Sequence, residues 1–173
     1  MRCAWRRGRV LHPELPWSKY AGCAAGAEPR TCPLEARLTG VTHTHPIRVY
    51  YEDTDLAGIV YYANYLKFIE RGRSEWIRSL GVDQGRLKAE QGIVFAVRRI
   101  EADYLRPARF DDELTVVTRL SSAGGARIHL AQDVLRGAER LFVAHVTLVC
   151  LTETGQPARL PAEIRRRLAP ALH

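Results

Sequence analysis

The stretch Tyr50–Tyr65 reads YYEDTDLAGIVYYANY and gathers residues able to do chemistry. Asp53 and Asp55 stand two apart, ahead of Gly58 and of the apolar pattern of a helix. A helix N-terminus presents unpaired amides and the positive end of the macrodipole. Such donors can hold a developing oxyanion, as acyl transfer requires. A carboxylate beside them can attack a carbonyl or activate water. Gly58 lets bare backbone come close to a substrate. The same residues also read as plain caps and a turn, and spacing alone does not choose.

The elements that must position these residues are legible from Pro46 onward. Ile47, Val49 and Tyr51 alternate with Arg48, Tyr50 and Glu52, which predicts a half-buried strand. Tyr61, Tyr65, Phe68, Gly72, Trp76 and Leu80 recur at three- and four-residue steps. This predicts a helix of about five turns, closed by Gly81. Gly72 in mid-helix implies a close backbone approach to a sheet. Residues 83–91 read as a short helix or an irregular loop. Four further strands follow, over 93–105, 113–120, 127–135 and 141–151, with Gly124-Gly125 and Gly137 at turns. The last run is apolar on both faces and suits a strand inside the sheet. A short basic helix over 163–168 closes the pattern. The fold class is α+β, one long helix on an antiparallel sheet.

Three segments extend the argument: VYYEDTDLAGIVYYANYLKFIERGRSEWIR, then VRRIEADYLRPARFDD, then the last apolar strand. Together they resemble the 4-hydroxybenzoyl-CoA thioesterase family of hot-dog proteins. The stretch Arg48–Leu151, about 105 of the 173 residues, resembles its Tol-Pal-associated acyl-CoA thioesterase branch. The resemblance implies a hot-dog fold, a long helix wrapped by a five-stranded antiparallel sheet. It implies an acyl-CoA substrate and a homodimer or homotetramer with the cleft at a subunit interface, and it requires no cofactor. It places the catalytic aspartate at Asp55 and the oxyanion donor at the backbone amide of Tyr62, with Gly58 and Val60 shaping the helix start. Related sequences of that branch often carry a histidine where this chain has Tyr62. The donor is backbone, so the reaction class is unaffected, while substrate preference is left open. A hot-dog interaction module, binding an acyl carrier protein or envelope-associated partners with little catalysis, is the alternative function.

Arg98, Arg99, Arg106 and Arg109 are candidates for the phosphates of CoA, against the plainer reading of a solvated strand edge. His43 and His45 have no accompanying ligand cluster, so no metal site is expected. The formal net charge is +7, yet residues 1–42 hold 7 Lys/Arg against 3 Asp/Glu, and residues 43–173 hold 19 against 16. More than half of the excess therefore sits in a Pro-rich leader without periodicity, read as irregular or disordered. That leader is also read as a mis-called start, with the natural protein beginning near Val41. The domain is expected over 43–173. A body of +3 argues against a nucleic-acid partner. No apolar run reaches the roughly 18–20 residues of a membrane span, and no CxxC spacing supports zinc or redox chemistry. A cytoplasmic body is the expectation.

Overall fold

A computed structural model describes residues 42–172. The leader expected over 1–42, with Cys3, Cys23 and Cys32, lies outside the described residues apart from Thr42. Five strands are formed: β1 (Thr42–Arg48), β2 (Ile93–Tyr104), β3 (Glu113–Gly124), β4 (Arg127–Arg136) and β5 (Glu139–Thr152). Three helices accompany them: α1 (Asn64–Ser79), α2 (Gln84–Gln91) and α3 (Ala162–Leu168). The strands make one antiparallel sheet in the order β1-β3-β4-β5-β2. The tight turns at Gly125 and Gly137, both with positive φ, hold β3, β4 and β5 side by side.

Helix α1 lies on the sheet through a stripe of Tyr65, Phe68, Ile69, Gly72, Trp76 and Ile77, all buried. Its 16 residues span about 24 Å. Gly72 meets its expected role. A Cβ built there would lie 2.5 Å from Cγ1 of Val116 on β3, so only a glycine lets helix and sheet come this close. One turn of the same face carries Arg73 into the core. It donates to Gln132 Oε1 at 2.9 Å, and Gln132 Nε2 donates to the Ile69 carbonyl and to Thr118 Oγ1, both at 2.9 Å. Burial lowers the affinity of this guanidinium for its proton, with the charge of Glu70 acting against the effect. On the other flank, His43 of β1 has a buried Nδ1 with no hydrogen-bond partner.

The far end of α1 is closed by a distant part of the chain. Gly81 turns with a positive φ, as expected, and Arg167 of α3 donates to the Leu80 carbonyl at 2.9 Å. The segment left open as helix or loop is α2, capped by Asp83, whose side chain accepts the Arg86 amide.

Two boundaries differ from the sequence reading. The first strand ends at Arg48, and Tyr51–Asp53 forms a 3-10 turn instead of extended chain. The cause is local polar bonding. The Asp53 carboxylate accepts the Tyr50 amide at 2.9 Å, and the Thr54 hydroxyl donates to the Tyr51 carbonyl at 2.9 Å. The alternation still describes burial at Ile47 and Val49 but fails at Tyr51, which is exposed. Helix α1 begins at Asn64 rather than Tyr61, since the Tyr61 carbonyl accepts the Asn64 amide three residues on, in a turn, and its own amide is held by the Asp53 carbonyl. Tyr61 is thus half exposed and outside the buried stripe. Strand β5 does lie inside the sheet. Its inner residues Phe142, Ala144, Val146, Leu148 and Cys150 are buried, and the opposite face is covered only in part.

Candidate active site

Between the 3-10 turn and α1 the chain makes a loop whose every bond pulls it closed. The Asp55 amide donates to the Ile59 carbonyl and the Gly58 amide to the Asp55 carbonyl, both at 2.9 Å. Gly58 has φ +72°, and a Cβ on it would touch nothing within 4 Å. Backbone conformation, rather than crowding, calls for glycine here. Val60 is buried and its amide donates to the Ala108 carbonyl at 2.8 Å, while Ile59 bridges to Arg109. The loop is thereby fastened to the segment that joins β2 and β3.

The two aspartates end in different states. Asp53 is buried and holds the chain at two points: its Oδ2 accepts the Tyr50 amide, and its carbonyl accepts both the Tyr61 amide at 2.9 Å and the Asn64 Nδ2 at 3.0 Å. It is a structural clamp. Asp55 is exposed, with Oδ1 accepting the Ala57 amide at 2.8 Å and Oδ2 accepting nothing among the described residues. Its carboxylate does not cap α1. One lone-pair face of it is therefore available for chemistry.

Tyr62 and Ala63 form the turn just ahead of α1, and neither of their amides has an acceptor among the described residues. The chain so presents two consecutive donors at the positive end of a four-turn helix. Asn64 was not singled out by the sequence, yet its buried side chain ties this turn to the carbonyl of Asp53, two residues before Asp55. Aromatic rings surround the place. Tyr61 and Tyr62 have centroids 4.7 Å apart, Tyr62 meets Tyr104 edge-on at 6.3 Å, and Tyr104 meets Phe142 at 5.0 Å. The Tyr61 phenol is held above the usual tyrosine range by its hydrogen bond to Tyr62, and the charge of Asp55 adds to the effect.

The four candidate arginines are not brought together. Arg106 pairs with Glu139 at 3.0 Å, and Arg109 adjoins the Asp55 loop through its bridge to Ile59. Arg98 and Arg99 sit at an irregularity in β2, five or more residues before Tyr104, which places them roughly 17 Å or more along the strand. Arg99 pairs with Glu101, and Arg98 has no ion pair among the described residues. A cavity of about 210 Å³ lies at the opposite end of α1, between α2 and α3. Its charges are satisfied internally, Arg86 by Glu90 and Glu163 by Arg167. Nothing there addresses Asp55. Among the described residues no cluster of three or more His, Cys, Asp or Glu is placed to hold a metal ion. No helix among them is long and apolar enough to cross a membrane.

Comparison with known proteins bears on the family and the fold. An acyl-CoA thioesterase, YbgC of Haemophilus influenzae, is 41% identical over 122 residues, covering 69% of this chain and 89% of that protein. The crystal structure of a probable thioesterase from Bartonella henselae superposes with a TM-score of 0.67 at 41% identity, covering 70% of this chain and all of that one. A 1,4-dihydroxy-2-naphthoyl-CoA thioesterase from Synechocystis shares the fold, with a TM-score of 0.70 at 23% identity over 77% of this chain and 99% of the other. Residues 49–168 match the thioesterase-like superfamily. The wrapped helix, the five antiparallel strands and these matches together mean that the chain is a hot-dog protein and belongs to the thioesterase-like superfamily.

Proposed function

We propose that this thioester hydrolase cleaves an acyl-CoA to the free acid and CoA, with Asp55 as its catalytic carboxylate and the Tyr62 amide as its oxyanion donor. One observation carries the reading. The loop bearing Asp55 and the turn bearing the unpaired Tyr62 amide are fixed to each other through a single acceptor, the Asp53 carbonyl. A carboxylate with a free oxygen and a donor with no partner are what the addition step needs on either side of a carbonyl carbon.

The thioester carbonyl is placed over the first turn of α1, its oxygen toward the Tyr62 amide. As the carbon becomes tetrahedral, negative charge grows on that oxygen and the amide bonds it more strongly. In one route Asp55 attacks, the carbon–sulfur bond breaks, CoA leaves as its thiolate, and water then hydrolyses the acyl–carboxylate anhydride. In the other, Asp55 takes a proton from water, the resulting hydroxide adds, and the same bond breaks as the proton passes from Asp55 to the departing thiolate. Both consume one water and return Asp55 to its starting state. Gly58 and Val60 hold the loop shape that aims the carboxylate.

A second copy of the chain completes the cleft. In the single chain Tyr62, Leu66, Tyr104 and Leu105 stand exposed beside the site, more apolar surface than a finished acyl pocket leaves to water. Arg98, remote from the loop and without an ion pair among the described residues, supplies a cation for the phosphates of CoA, which the pantetheine arm keeps well away from the thioester. Asp55→Asn keeps the Asx turn at Ala57 and removes the charge. Its kcat/KM on acyl-CoA is expected to fall by about 100-fold or more at unchanged melting temperature. Full activity in a folded Asp55→Asn chain overturns the assignment. Oxygen-18 from solvent water appearing in the Asp55 side chain selects the nucleophilic route.

A further inference from the structure

Three successive peptide groups lead into α1, and each is held by a different partner. The first, between Val60 and Tyr61, is fixed by the Tyr61 amide on the Asp53 carbonyl at 2.9 Å. The second, between Tyr61 and Tyr62, is fixed by its carbonyl accepting the Asn64 amide at 2.8 Å. This second group carries the Tyr62 amide. The third, between Tyr62 and Ala63, carries the Ala63 amide, and its carbonyl accepts the hydroxyl of Tyr104 at 3.2 Å. Peptide groups are planar, so holding a carbonyl also aims the amide on the far side of the same plane. The first two planes are held within the segment 53–64. The third is held from outside it, by a side chain 42 residues away at the end of β2.

We infer that the Ala63 amide joins the Tyr62 amide in holding the oxyanion and that Tyr104 is its positioning residue, its hydroxyl setting the Tyr62–Ala63 peptide plane while its ring braces against the sheet. The brace is visible in the ring contacts. Tyr104 meets Phe142, its partner in the β2–β5 register, at 5.0 Å, and Tyr65 at 5.7 Å. Tyr65 has its own contact, its hydroxyl accepting the Ala108 amide at 2.8 Å. Without the Tyr104 hydroxyl, the two backbone torsions of Tyr62 are restrained on one side only, and the two unpaired amides lose their fixed relative direction. Tyr104 acts through Tyr62 and touches no reacting atom.

The inference rests on the proposed role of the Tyr62 amide, and the test separates the two. Tyr104→Phe keeps the ring and its packing and removes only the hydroxyl at a half-exposed site, so the fold is retained. Steady-state kinetics on an acyl-CoA are expected to show kcat lowered about fivefold, the scale of one modest hydrogen bond, with KM within twofold and the melting temperature unchanged. In parallel, the carbon-13 resonance of a carbonyl-labelled Tyr62 shifts on loss of the donor. Unchanged kcat overturns the inference, as does a rise in KM alone, which would make Tyr104 a substrate contact. A fall in kcat matched by a fall in melting temperature also overturns it. Asp55→Asn in the same assay reports on the underlying reading. An inactive Asp55→Asn with a fully active Tyr104→Phe sinks the positioning role and leaves the proposed chemistry standing, while an active Asp55→Asn sinks the chemistry itself.

Discussion

At Gly72 helix α1 rests on the sheet so closely that one added methyl group would collide with Val116. At Tyr62, just ahead of the same helix, two amides face no acceptor among the described residues. The middle of α1 is sealed by packing and by a closed polar chain from Arg73 through Gln132 to Thr118 and the Ile69 carbonyl. Its first turn is the reverse, well anchored from behind by Asp53 and Asn64 but open in front. The difference teaches how a small domain can hold donors ready for charge that appears only during reaction. The anchoring is supplied by backbone and buried side chains, so that the donors themselves need no partner in the resting state. Substitutions in the middle should therefore change stability and leave turnover per folded molecule alone, while Asp55 and Tyr104 should do the opposite.

The largest effect on the sealed side is expected at Gln132. Gln132→Ala leaves the buried Arg73 guanidinium without its acceptor and should cost about 3 kcal/mol in urea-induced unfolding. Pairing it with Arg73→Leu should recover much of that loss. A single variant as stable as the parent would show that the middle is not sealed by this chain. Next comes Gly72→Ala, expected to cost about 2 kcal/mol through overpacking, with Val116→Ala in the same chain giving back part of it. If either variant lowers kcat per folded molecule as strongly as Asp55→Asn does, the two ends of the comparison are not separable.

The smallest effect tests a flaw in the seal. Burial holds the His43 imidazole below its ordinary range, the charge of His45 adds to this, and Glu75 opposes it. Protonation is thus easier in the unfolded chain. The stability tied to neutral His43 is complete above about pH 6.5 and is lost as the pH falls through the lowered folded value. Between pH 7 and pH 5 the melting temperature of the parent should drop by more than that of His43→Phe. Parallel curves would mean that β1 does not open on acidification.

Apolar periodicity located the strands, the buried face of α1 and the need for glycine at position 72, because each is a repeating consequence of one face meeting a core. It misplaced the end of β1 and the start of α1, where single polar groups decide. Tyr61 stands four residues before Tyr65 and is in phase with the stripe, yet its amide is committed to the Asp53 carbonyl and the helix has not begun. The EDTD stretch ahead of a helix drew notice to Asp53 and Asp55 alike, and it was the family resemblance rather than the spacing that pointed to Asp55. The work of Asn64 and Tyr104 was not legible, since it depends on which carbonyl each side chain reaches after folding. Arg73 and Gln132 likewise carry no periodic signal of their pairing, which exists only once β4 is laid beneath α1. An asparagine in the first turn, two residues after the proposed oxyanion residue, is the signal that could have marked the clamp.

The bond from Arg167 to the Leu80 carbonyl has a consequence in time. The two residues are 87 positions apart, and a chain growing at roughly 5–20 residues per second emits the second roughly 4–17 s after the first. During synthesis the start of α1 can already find Asp53 and Asn64, which are its immediate neighbours, while its exit waits for α3. The turn ahead of α1 is thus the portion that a nascent chain can begin to shape first, and the closing of the far end of the helix comes late.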